Sequence, residues 1–499
     1  MQTNKVINNS IINLLTQIVP IFVAIVFIPI SIKALGNELF GVYSLSVTFI
    51  VLFNYLNFGI APATTKEISK NLAKENYAIV ISLLLNSFFI MLFIGMVISF
   101  LFNTYNLEIA TLMSKDKTLI IILSELIRLL GIMSSFIMIV IFLRSVLEAK
   151  QIFLVTSLNR AFLNSIIFIS PIIVYIDGYN ILSIFKLLIF IYIFSTLILG
   201  IVVYNMFLKG NKLTFSLKDS KILLHIGFWM MLSSLAGIGL YYADRFIIGA
   251  IISATAVAYY VAAYDLVTRL NIISGSLTSA LFPAFSHWFE LGEKEKIRNA
   301  IIFVSKIILF LVAGVSFLLI IYSKFFLYLW INEEYSIHSY LILQLLTIGV
   351  LFNTLSVVPF RALSAIGFPN LVAMVYIAEM PIFVSLAYFL IVKYGLIGAV
   401  ITYNIRAISE MIILYAILMS NKIDLNFHFN LVQLIKNISF YFFTFILAFI
   451  FADIENINTK VSLTIITVVI VSIVKYKFLL TKQEKNKIKE YKNKIKAKL

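Results

Sequence analysis

Acid–base pairs stand where charge is least expected, inside long apolar runs. Asp265 and Arg269 are four residues apart, Arg406 and Glu410 four apart, Glu125 and Arg128 three apart, and Asp244 and Arg245 are adjacent. Glu379 lies alone two residues before Pro381, and Arg160 alone in a further apolar run. Spacings of three and four put both members of a pair on one helical face. Adjacent residues point about 100° apart on a helix. Asp244 and Arg245 therefore cannot both serve one partner. We expect Arg245 to face a polar interior and Asp244 to brace a neighbouring helix. Arginine binds phosphate oxygens bidentately, and a carboxylate beside it can hold the guanidinium in place when no anion is bound. Asp265, Glu379 and Glu410 are also candidates for ion coupling. The sequence has no cysteine, and His225, His287, His338 and His428 are isolated from one another. Disulfides and cysteine nucleophiles are excluded, and no metal site is expected. The chemistry these residues support is electrostatic binding, so we expect neither an enzyme nor a cofactor.

Charge in hydrocarbon is costly, and residues that persist there mark ion paths or binding sites. The elements that must position these residues follow from composition. The 499-residue chain is 62% hydrophobic and 12% charged, with a mean hydropathy of +1.04. A soluble core cannot hide so much apolar surface. Apolar runs long enough to cross about 30 Å of hydrocarbon as helices recur from end to end, and the alternation of a β-barrel is absent. The fold class expected is an all-α polytopic membrane protein. Fourteen spans are expected, near 7–32, 39–61, 77–102, 118–143, 152–176, 181–207, 222–250, 254–285, 299–321, 339–361, 369–392, 396–420, 431–452 and 459–480. The first is too long for a signal-peptide core and lacks a small-residue cleavage site after it.

Orientation follows from the lysines and arginines between spans. With a cytoplasmic N-terminus, cytoplasmic segments hold 25 of them and outer loops 6; without the tail the balance is 15 to 6. Both termini are expected in the cytoplasm of a bacterial cell, with the chain multi-pass in the inner membrane. Most of the net charge of +16 is thus topogenic. The tail, 482–499, is expected to lie near anionic headgroups rather than to bind nucleic acid. Sliding the chain on itself until Tyr43 falls on Tyr260 superposes the first six spans on spans seven to twelve. Arg144 then falls on Arg361. The division expected is an N-lobe over 1–210, a C-lobe over 211–421, and two appended helices over 422–481. An even number of spans per half makes the repeats parallel, about an axis along the membrane normal.

Several segments resemble the polysaccharide transporter family, the O-antigen-type flippases, of the multidrug/oligosaccharidyl-lipid/polysaccharide (MOP) flippase superfamily. They are "PISIKALGNELFGVYSL" (29–45), "ADRFIIGAIISATAVAYYVAAYDL" (243–266), "LFPAFS" (281–286), "YLWINEEY" (328–335), "RALSAIGFPN" (361–370) and "YGLIGAVITYNIRAISE" (394–410). Their order and spacing carry the resemblance, which covers roughly residues 5–480. It implies two six-helix lobes around a central cavity that opens alternately inward and outward. It also implies a cargo of polyprenyl-pyrophosphate-linked oligosaccharide, moved from the inner to the outer leaflet, with membrane lipid and other polysaccharide-assembly membrane proteins as partners.

Such a cargo calls for cationic side chains and hydrogen-bonding groups at mid-depth, and for no nucleophile. The candidates for phosphate contact are Arg269, Arg406, Arg245 and Arg128, with Asp265, Glu410, Glu379, Glu125 and Asp244 as charge partners or ion-coupling groups. Arg269 ranks first, because Thr268, Ser274, Gly275 and Ser276 around it suit a water-lined face. Tyr241, Tyr242, Tyr259, Tyr260 and Tyr264 are expected in an interfacial aromatic belt, with sugar stacking as the lesser reading. A multidrug-type exporter of the same superfamily is one alternative, although organic cations would favour acids without arginines beside them. A peptidoglycan lipid II flippase is another. The arginines that resemblance would imply in the first lobe are missing from spans one and two, which counts against it. A polysaccharide polymerase or ligase is a third, and the longest outer loops, 103–117 and 322–338, are too short and plain for one.

Overall fold

The computed structural model describes residues 2–57, 59–72, 74–177, 180–216, 221, 223, 237, 239–420 and 431–474. The tail, most of the seventh span before 239, and His225 and His428 lie outside them. The described elements are helices, with no strand among them. This is what a chain crossing hydrocarbon requires, since every backbone N–H and C=O must be paired within its own segment. In order they are α1 (Gln2–Tyr55), α2 (Ile60–Leu72), α3 (Tyr77–Thr104), α4 (Asn106–Met113), α5 (Lys117–Ala149), α6 (Phe153–Asp177), α7 (Ile181–Val203) and α8 (239–251). Then come α9 (Ala254–Thr268), α10 (Asn271–Glu290), α11 (Lys294–Ile321), α12 (Ser323–Trp330), α13 (Glu333–His338) and α14 (Tyr340–Ala365). The last are α15 (Pro369–Tyr394), α16 (Leu396–Met419), α17 (Leu431–Ala452) and α18 (Ile457–Val474).

Among the described residues, nine helices are long and apolar enough to cross a membrane, and two shorter apolar helices follow near the C-terminus. The chain is a multi-pass, all-α membrane protein. One of the nine, Val19–Asn54, is two helices: at Gly36 the backbone turns to φ 76°, ψ 165°. Glycine takes that conformation without strain, and the break falls inside the "LG" of the first motif. The expected eighth span, 254–285, is also not one helix. It breaks at Arg269–Leu270, where Arg269 N bonds to Leu266 O and Ile273 N to Leu270 O in tight three-residue turns. The reason is local. Thr268 Oγ1 donates to Tyr264 O at 2.8 Å and Ser274 Oγ to Asn271 O at 2.9 Å, so short polar side chains compete for the carbonyls that a straight helix would use.

The offset that lays Tyr43 on Tyr260 reappears in the element bounds. Tyr77–Thr104 maps onto Lys294–Ile321, and Asn106–Met113 onto Ser323–Trp330, residue for residue. Phe153–Asp177 maps onto Pro369–Tyr394 to within a residue at its start. Gly36 maps onto Ser253, the N-cap of α9, whose side chain accepts from Ala256 N. Breaks in the chain thus recur as well as helices.

By packing, the chain falls into two compact units. One holds 1–269, 330–342 and 368–406; the other holds 270–329, 343–367 and 407–499. In the first, α5 is the central helix, packed by α3, α7, α4 and α2. Small residues bring α3 and α5 together: Ser134 Oγ donates to Gly95 O at 3.1 Å, and a Cβ on Gly95 would stand 2.7 Å from Ser135 Cα. Asp116 caps α5, accepting from Thr118 and Leu119 N–H; those bonds and the Thr118 hydroxyl hold its carboxyl below the usual range. In the same unit α1 packs on α6 and α9. In the second unit α11 packs on α10 and α17. Gln344 Nε2 there donates to Ile320 O at 3.0 Å, and the hydroxyls of Ser305 and Tyr415 meet at 2.7 Å.

Candidate functional site

The chain reverses at Ile252–Ser253, so α8 and α9 form a hairpin. The reversal sets the register that brings Asp244 and Arg245 against residues 260–265. Arg245 Nη2 donates to Asp265 Oδ1 at 2.8 Å, and Arg245 Nη1 reaches Thr48 Oγ1 on α1 at 3.5 Å. Asp244 turns the other way and accepts from the Tyr260 hydroxyl. Its Oδ1 also accepts from the Arg245 N–H at 2.8 Å. The adjacent pair divides as its angular separation on the helix demands.

Tyrosine rings surround the guanidinium. Arg245 Cζ lies 5.4 Å from the Tyr242 ring centre and 5.2 Å from that of Tyr264. Arg406, on α16, stacks at 4.4 Å on Tyr241 and 5.4 Å on Tyr403, and Tyr403 meets Tyr264 edge to face at 5.5 Å. Two buried arginines are thus joined through a pair of tyrosines. Ring faces offset part of the cost of removing a guanidinium from water. Tyr259, Tyr260 and Tyr264 are buried, so they do not form the exposed aromatic belt expected of them. Periodicity alone could not separate the two, because a belt and a wall use the same residues.

A cavity of about 40 Å³ adjoins the pair, lined by Arg245, Asp265, Ser31, Tyr43 and Ser44 among others. At ~10–15 Å³ per water it has room for about three. The first-ranked candidate, Arg269, is differently placed. It does not pair with Asp265, whose carboxylate is taken by Arg245. It sits half-buried at the break after α9, its Cζ 5.8 Å from the Phe168 ring centre, with no ion pair among the described residues. The i,i+4 spacing misled here, because the face of α9 that carries Asp265 is turned to α8.

The remaining candidates are scattered. Glu410 is buried and accepts from Ser356 Oγ at 3.1 Å. Glu379 is buried in α15, which runs on through Pro381. Glu125 and Arg128 are exposed on α5. Arg160 bonds Glu148 at 2.7 Å. Among the described residues no three His, Asp or Glu gather as a metal site would need. Thr48 and Tyr403 are site residues that inspection of the sequence missed. Thr48 had a signal, since at the repeat offset it falls on Asp265.

Residues 6–289, more than half of the chain, match the family described as "Polysaccharide biosynthesis protein". A protein of Shigella flexneri named for O-antigen transport is 27% identical over 421 residues, 82% of this chain and 97% of the relative. Among solved structures, the lipid II flippase MurJ in an inward closed conformation superposes with a TM-score of 0.73 at 17% identity, covering 95% of this chain and all of the other. An inward-facing multidrug transporter of the MATE family superposes at 0.65 with 16% identity, over 82% of this chain and 97% of the other. The sequence match settles the family and the superpositions the fold: the chain belongs to the polysaccharide biosynthesis protein family and shares its fold with those two solved proteins.

Proposed function

We propose that this protein is a flippase that carries a polyprenyl-pyrophosphate-linked oligosaccharide, a surface-polysaccharide repeat unit, from the inner to the outer leaflet of the cytoplasmic membrane by alternating access. Two lobes, the N-lobe over 1–210 and the C-lobe over 211–421, rock about a central cavity, with both termini in the cytoplasm. The observation that carries the reading is Arg269: a half-buried guanidinium inside the hydrophobic chain, without a carboxylate of its own among the described residues. An isolated cation there is costly unless an anion visits it. Pyrophosphate fits, because a guanidinium fork matches its oxygens, and tyrosines such as Tyr241 beside Arg406 offer ring faces and hydroxyls to sugars. The relative named for O-antigen transport agrees with a glycan cargo.

The test is export of surface glycan in a strain lacking the native gene, read beside protein abundance in the membrane. Arg269→Ala should abolish export at normal abundance. Arg269→Lys should retain part of it, since charge survives without the fork. Full export by Arg269→Ala would remove Arg269 from the cargo path. Export of organic cations, with no effect on glycan, would favour the multidrug reading instead.

A further inference from the structure

The contact between α1 and the α8–α9 hairpin is made of unusual parts. Thr48 and Asp265 occupy the same position of the two repeats, and one guanidinium, that of Arg245, reaches both. The two bonds differ in kind. Arg245 to Asp265 is a charged bond of 2.8 Å within the hairpin. Arg245 to Thr48 is a 3.5 Å bond to a neutral hydroxyl on α1. Arg245 Nε, buried beside the cavity, has no hydrogen-bond partner among the described residues. Nearer the helix ends the helices approach closely: a Cβ on Gly41 would stand 1.8 Å from Ala254 O, and one on Gly249 would stand 3.1 Å from Leu45 Cδ1. Between these lies the small cavity, with Ser31, Tyr43 and Ser44 on one side and Arg245, Ala262 and Asp265 on the other.

A permanent contact in a membrane protein is made by packing and by short, satisfied hydrogen bonds. This one is packed, with Phe49 on α1 meeting Phe246 on α8 at 5.0 Å, but its polar bond is long and a small void lies beside that bond. On separating, the guanidinium would keep Asp265 as its partner and lose only the bond to Thr48. We infer that Arg245 is the latch of the outer gate: Asp265 and the Tyr242 and Tyr264 rings aim it, and its reach to Thr48 holds α1 against α8–α9 until the transport path opens to the outside. The inference rests on the transport reading. Gly36 and Ser253, which head the two contacting helices, lie at the end that the lysine distribution assigns to the outside. Thr48 and Asp265 lie just over three turns in from those ends, roughly 18 Å along each helix. Arg245 and Asp265 are positioning residues in this scheme and need not touch cargo.

The chain has no cysteine, so one introduced thiol reports alone. Ala262 is 1% exposed and lines the cavity, so Ala262→Cys should react slowly with a membrane-impermeant maleimide added outside intact cells. Adding Thr48→Val should raise the labelling rate about fivefold, the shift that losing one net hydrogen bond produces. Arg245→Ala should raise it at least as much. Thr48→Asp, which gives Arg245 a charged partner on α1, should lower labelling below the parent and slow export. Unchanged labelling in Thr48→Val and Thr48→Asp at normal abundance would overturn the latch. So would labelling that rises only from the cytoplasmic side, in inverted vesicles. Labelling does not depend on the cargo. If it shifts as stated while no glycan is exported, the latch stands and the cargo assignment falls; if export proceeds and labelling stays fixed, the reverse holds.

Discussion

Removing Asp265 and removing Arg269 should have opposite signatures, although the two are one helical turn apart. Asp265→Ala strands Arg245, 7% exposed, without its carboxylate. Breaking a buried pair from one side costs about 3–5 kcal/mol, less here because the Asp265 side chain is 22% exposed. Arg269→Ala strands nothing, because no acid is paired with it among the described residues. Asp265→Ala should therefore lower the melting temperature of the detergent-solubilised protein, and Arg245→Ala/Asp265→Ala should recover most of the loss. Arg269→Ala should melt with the parent and fail only in export. Equal melting shifts for Asp265→Ala and Arg269→Ala would mean that the ion pair does not carry stability. That the site would be arginine-rich was legible from the sequence, since charge in long apolar runs has few other uses. Its pairing was not. Helical spacing gives the direction of a side chain relative to its own axis, and says nothing of which neighbour lies there. Asp265 found its partner on the preceding helix, across a hairpin turn.

Helices were legible for the opposite reason. Hydropathy integrates over the whole length of a span and is insensitive to any one residue, so most of the described spans fall near their expected bounds. What it misses are breaks made by single residues. The expected separation of the first two spans is a change of backbone at Gly36 alone, and the expected eighth span divides where the Thr268 and Ser274 hydroxyls draw carbonyls away. Close approach between helices is equally invisible to hydropathy, and glycine substitution exposes it. Gly41→Ala drives a methyl into the Ala254 carbonyl, a backbone atom that cannot rotate aside. It should destabilise by about 1–3 kcal/mol or more. Gly314→Ala, in α11 with nothing within 4 Å of its new Cβ, should be neutral or stabilise by up to about 1 kcal/mol. Melting temperatures of the two variants side by side test this. A neutral Gly41→Ala would mean that α1 and α9 are not held as closely as described.

At the scale of the whole molecule the repeat offset makes a claim about sides of the membrane as well as about ancestry. Residue-for-residue recurrence of α3 and α4 in α11 and α12 means that the short helices α4 and α12 follow equivalent spans. If the repeat unit contains the six spans we propose, both short helices emerge on the same side. Each leaves apolar residues uncovered, Leu112 on α4 and Leu329 at the matching place on α12, as suits helices resting at a membrane surface. We expect that surface to be the outer one, since Lys66, Lys70, Lys74, Lys150, Lys294 and Lys296 crowd the opposite ends. Reporter fusions after Lys74, Lys150 and Lys296 should therefore read as cytoplasmic, and fusions near Lys115 and Glu333 as external. The paired positions are the sharper test. Lys115 and Asn332 are related by the offset, so a repeat with an odd number of spans would put fusions there on opposite sides. A split result at that pair would overturn the two-lobe architecture we propose, and with it the equivalence of Thr48 and Asp265 in the repeat.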